Sequence, residues 1–199
     1  MKKNSRKWFR LAGVVVLMSG VFVSMAWLPG RMTGGGSVFK GSNEVVTATV
    51  DNLNRVTHGF ELHCGCDSAT TPDLGAPPAL PNNLEINWGT PGDKHKFKLD
   101  VLTSADCFYD PSVGSPNPPP AGFNTMLGIG TGFLDNTKDP GNIVFTFTDA
   151  GEPGGATGNA APPPDTAAYL IIDGSGTVVL SVPATALTYG NHQAHGLNQ

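Results

Sequence analysis

Apolar and polar residues alternate with a period of two along much of the chain, most legibly between residues 83 and 102. There Leu84, Ile86 and Trp88 alternate with Glu85 and Asn87, and His95, Phe97, Leu99 and Val101 alternate with Lys96, Lys98 and Asp100. Each run reads as a half-buried strand. Gly89-Thr90-Pro91-Gly92-Asp93 between them is a turn segment, which predicts an antiparallel hairpin. A second hairpin is predicted over 169–173 and 177–182, joined by Gly174-Ser175-Gly176. Further strands are expected at 37–40, 45–50, 55–64, 126–133 and 142–148, about nine in all. No segment after residue 28 keeps a helical period over three turns. The expected fold is all-β, a two-sheet, jelly-roll-like β-sandwich, with an open barrel as a variant that the pattern does not separate. Two stretches, 110–122 with five prolines and 151–165 with four, interrupt the pattern and read as surface loops.

The N-terminus breaks this pattern. Lys2, Lys3, Arg6, Lys7 and Arg10 precede an apolar run over 11–28, the layout of a signal sequence. Ser24 and Ala26 supply the small residues of a cleavage site, so the expected division is a leader over 1–26 and one extracytoplasmic domain over 27–199. An uncleaved anchor is the alternative, since about 18 apolar residues is the lower limit for a membrane span. Membrane contact is expected only through that segment.

Charge follows from the same division. The leader holds five of the 12 basic residues and none of the 16 acidic ones, so the remainder carries seven against sixteen, a net of −9. Such a surface repels nucleic acid and anionic lipid, and nucleic-acid binding is excluded. The 26 glycines and 17 prolines favour turns over helices.

Candidate chemistry is sparse. Cys64, Cys66 and Cys107 would meet an oxidising compartment, where either Cys64 or Cys66 can bond Cys107. The loop so closed spans about 43 residues and is worth roughly 4 kcal/mol by chain entropy. His58, His63, His192 and His195 are candidate ligands for zinc or copper, given soft thiolates nearby, although their spacing matches no compact zinc motif. Asp135, Asp139, Asp149 and Glu152 are candidate calcium ligands, without a recognised loop pattern. Glu61, Glu85 and Glu152 could supply a carboxylate pair for glycoside hydrolysis, but any acidic chain holds such pairs. No nucleophile elbow, phosphate-binding glycine loop or His-Glu-x-x-His element occurs, so no catalytic residue and no resident cofactor is assigned.

Several segments together resemble a known type of domain: Met32-Thr33-Gly34-Gly35-Gly36, Thr57-His58-Gly59-Phe60-Glu61-Leu62-His63-Cys64, Pro81-Asn82-Asn83-Leu84-Glu85-Ile86-Asn87-Trp88, Phe147-Thr148-Asp149-Ala150-Gly151-Glu152-Pro153-Gly154 and Gly190-Asn191-His192-Gln193-Ala194-His195. The resemblance is to the bacterial secreted "post-COAP" module of large cell-surface proteins, and it spans nearly the whole chain after residue 31. It implies extracellular β architecture and surface association, with no activity attached. Relatives of that type carry a single Cys after the first His motif, so the resemblance implies a Cys64–Cys107 disulfide and makes Cys66 an addition. The functional expectation is a secreted or cell-envelope β-sandwich that, without catalysis, binds a cell-surface or extracellular-matrix partner or contributes to an extracellular assembly. The alternative is an extracytoplasmic zinc or copper protein, or metalloenzyme, using His58, His63, His192 and His195.

Overall fold

The computed structural model describes residues 30–39, 55–64, 81–113, 121–151 and 163–196. They form nine strands: β1 (Gly30–Phe39), β2 (Arg55–Cys64), β3 (Asn83–Thr90), β4 (Asp93–Phe108), β5 (Thr125–Leu134), β6 (Asp139–Thr148), β7 (Thr166–Asp173), β8 (Val178–Ala186) and β9 (Tyr189–Gly196). A single 3₁₀ turn, Pro111–Val113, is the one helical element among the described residues. The all-β expectation holds. The expected strand at 45–50, the leader, Cys66 and Glu152 lie outside the described residues.

The expected division into two hydrogen-bonded sheets is not what the ladder shows. All nine strands join in one sheet in the order β8-β7-β6-β5-β4-β3-β2-β1-β9, with antiparallel neighbours throughout. The physical reason lies in β4, whose pairing with β5 slips between Leu99 and Val101 and again between Leu102 and Ser104. Each slip is a bulge that leaves one extra residue, Asp100 or Thr103, and bends the strand. One long strand thereby turns the corner that a sandwich would turn by switching sheets.

How far the sheet curls follows from its connections. β8 and β9 are its two edges, yet only Leu187 and Thr188 separate them in the chain. Three Cα steps reach at most about 11 Å, whereas nine flat strands would be about 38 Å across. The sheet must therefore curl until the end of β8 and the start of β9 come together. Leu187 N–H donates to Asp165 O and Thr188 N–H to Ser37 O, each at 2.8 Å, which fixes the connection in that position.

The inside of the roll is a continuous core that includes Met32, Leu62, Ile86, Phe97, Phe123, Phe145, Phe147 and Tyr169, all at 2 % exposure or less. The predicted hairpins are present. Thr90 pairs with Asp93, leaving Pro91-Gly92 as the turn, with Gly92 at φ 97°, the left-handed value that the third residue of such a turn needs.

Candidate functional site

Two histidines meet inside the roll. His58 on β2 and His192 on β9 sit on either side of β1, opposite Gly36 and Gly34. A side chain at Gly34 would come within 2.9 Å of the His192 backbone and 3.1 Å of its ring, so glycine there keeps space for the imidazole. The two Nε2 atoms are 2.8 Å apart. His192 Nδ1 lies 2.9 Å from Thr148 O, which can only accept, so Nδ1 carries the proton and Nε2 is a bare acceptor. His58 Nε2–H must then donate to it. That leaves His58 Nδ1 a lone pair, and it is a buried atom with no hydrogen-bond partner.

Aromatic rings enclose the pair. His58 stacks on Phe147 at 5.1 Å, Phe147 on Phe60 at 4.3 Å, and His192 meets the edges of both phenyl rings. Tyr169 approaches His58 edge-on, and its hydroxyl is likewise buried without a partner. Burial, then the neighbouring His192, lowers the His58 pKa to about 3. Burial lowers that of His192 to about 4 against the hydrogen bond to Thr148, which works the other way. Both rings are neutral at ordinary pH, and Tyr169 is held protonated by burial.

Two carboxylates close the roll beside this pair. The His192 and Ala194 amides face away from β1, where an edge strand would leave donors open. Asp165 Oδ2 accepts from His192 N–H at 2.6 Å and Asp149 Oδ2 from Ala194 N–H at 2.8 Å. Their other oxygens accept from Ala150 and Gly151 N–H. Each carboxylate thus ties β9 to the segment following β6.

The histidine quartet read from the sequence does not share one site, because odd and even strand positions face opposite ways. His58 and His192 point inward and are buried. His63 and His195 lie on the outer face, both opposite Arg31, where they bond Asn82 and Thr33. Burial, and after it Arg31, lowers the His195 pKa. No group of three or more metal-binding side chains converges among the described residues.

The calcium set is also divided. Asp135 bonds Lys96 N–H and His95, and Asp139 accepts from Thr137, at one end of β6. Asp149 lies ten residues on, about 33 Å along an extended strand, with both oxygens engaged by backbone amides. Glu61 pairs with Arg31 at 3.2 Å and Glu85 with Lys96 at 3.6 Å. Cys64 and Cys107 are bonded, at a Cα separation of 5.7 Å, joining the ends of β2 and β4 beyond the start of β3.

The outer face of β5 carries a feature the sequence reading missed. Its inward positions are Met126, Gly128, Gly130, Gly132 and Leu134, and its outward positions are Leu127, Ile129, Thr131 and Phe133. Between inward Met126 and Leu134, the strand shows Leu127, Ile129 and Phe133 to solvent and three glycines to the core. The glycines are inward because neighbours occupy that space: a Cβ would strike the Phe145 ring at Gly128, Leu99 at Gly130 and the Phe97 ring at Gly132. Ile129 is 47 % exposed, and it pairs with Val144 on β6, which is 40 % exposed and in turn opposite Leu170 on β7. Val101 on β4 extends the patch. At its foot a groove of about 370 Å³ runs between Thr125, Thr146, Thr148, Thr166, Phe108 and the 163–164 prolines. In contrast, β1, β2 and β9 present Arg31, Thr33, Glu61, His63, Gln193 and His195 on their outer faces.

Comparison with protein-family models, with curated proteins and with solved structures finds no match to this chain.

Proposed function

We propose that this chain is a secreted or cell-envelope β module that acts by binding, and that it binds through the outer face of β4–β7. The observation that carries this reading is β5, which turns Leu127, Ile129 and Phe133 outward while glycines face the core. Fully burying an exposed side chain of that kind is worth about 1.5–3 kcal/mol, and these three, at 36 %, 47 % and 39 % exposure, leave part of that to be gained on binding. Contiguous apolar patches on one side of an otherwise polar surface are characteristic of interaction sites. The signal-like N-terminus, the Cys64–Cys107 disulfide and the resemblance to post-COAP modules support export and surface association. The two facing halves of the rolled sheet correspond to the layers of a jelly-roll-like sandwich.

The metal reading has less behind it. The inward pair supplies two imidazoles, and three of their four ring nitrogens are already in hydrogen bonds.

The test is retention on the cell envelope. Wild-type protein is expected to co-sediment with envelopes of its source cells, and Ile129→Glu with Val144→Lys to remain in the supernatant with unchanged circular dichroism and Tm. Equal retention of folded variant and wild type would refute the assignment of this face.

A further inference from the structure

The apolar face is bordered along β4 by charge, and the arrangement is self-complementary. On β4, Lys98 stands opposite Phe133 on one side and Glu85 on the other, and Asp106 opposite Leu127, with Asp100, Val101, Thr103 and Ser104 between them. Lys98 is exposed and makes no ion pair among the described residues. Asp106 lies beside the patch with Oδ1 buried and without a hydrogen-bond partner. Burial raises its pKa, the mark of a carboxylate short of compensation. A two-fold axis across the strands, midway between Val101 and Ser104, exchanges these two charges.

We infer that the occupant of this face is a second copy of the chain, with Lys98 of each copy set against Asp106 of the other and Ile129 and Val144 packed beside these pairs. The inference rests on the binding role proposed for this face and names the partner. Four strands at about 4.8 Å and six residues at about 3.3 Å give a plane of roughly 400 Å² per copy. That is about 800 Å² in total, below the standard size of a specific interface, and it predicts a weak dimer whose register depends on the charge pairs. Packed face to face, the sheets would stand about 10 Å apart, as in a β-sandwich.

Sedimentation equilibrium of the exported protein from about 1 to about 100 µM is the test. The wild type is expected to show a monomer–dimer equilibrium, and Ile129→Glu to stay monomeric with unchanged circular dichroism. Lys98→Glu should weaken the dimer about tenfold, and adding Asp106→Lys should restore it. If the double variant does not fold, the Lys98→Glu loss and its disappearance at high salt read the same contact. A wild type that stays monomeric throughout overturns the second copy, as does a dimer indifferent to Ile129→Glu or Lys98→Glu. A monomer whose envelope retention still fails in Ile129→Glu overturns only the second copy and leaves the binding face with a different partner.

Discussion

His58 sits in an environment far from its solution chemistry. A second proton would have to sit on Nδ1, which is enclosed by rings and has no acceptor, and the neighbouring imidazole offers no compensating charge. The sign of the consequence follows from linkage. The folded pKa values, about 3 for His58 and about 4 for His192, lie below the unfolded value of 6.5. Between pH 6.5 and about 4 the unfolded chain therefore holds more protons than the folded one. Stability is complete above that window and falls as the pH drops through it, by up to about 1.4 kcal/mol per pH unit for each histidine. Tm measured from pH 7.5 to 4 should decline, and a His58→Phe, His192→Leu variant should lose most of the histidine part of that slope; an unchanged slope would show that these rings are not the acid-sensitive groups. The histidines were visible in the sequence as candidates. Their division into an inward and an outward pair follows from strand parity at 58, 63, 192 and 195, but only once β9 is known to be a strand.

At the scale of elements, β9 and the first half of β1 are what the sequence hid. Tyr189–Gly196 contains no β-branched residue, and Gly34-Gly35-Gly36 lacks any side chain to mark a face. Tertiary placement decides both, since β1 runs between β2 and β9 and β9 is held on its far edge by side chains. Removing one of those holds should be felt. Asp165→Ala would leave the buried His192 and Ala150 amides without acceptors, at about 1–3 kcal/mol for each orphaned donor. A stability loss of about 2–6 kcal/mol, with faster amide exchange along β9 than along β3, is the expected outcome; uniform exchange would mean that β9 is held by β1 alone. The disulfide was legible as a choice between two partners for Cys107, and it is Cys64 that reaches it. Replacing both cysteines with alanine should cost about 4 kcal/mol in urea denaturation, and a loss below about 1 kcal/mol would show that the loop it closes is restrained by other contacts.

For the molecule as a whole, the sequence conveyed the class of fold but not which side faces outward. Period-two alternation assigns the large residues of a strand to the core, and between Met126 and Leu134 of β5 that assignment is reversed. Nothing local to 125–134 marks the reversal, because the rings that fill the space above its glycines come from Phe97 on β4 and Phe145 on β6. The roll therefore has a polar side, built on β1, β2 and β9, and a more apolar side, built on β5–β7 with Val101 of β4. The proposed binding role places the partner on the second of these sides. Hydroxyl-radical footprinting of the envelope-bound protein against the free protein measures this directly. Leu127, Ile129, Phe133 and Val144 should lose reactivity on binding, while Tyr189, 66 % exposed on β9, should keep it. Protection of Tyr189 and the Arg31–His63 surface, with Ile129 and Phe133 unchanged, would place the interface on the polar side and contradict the account.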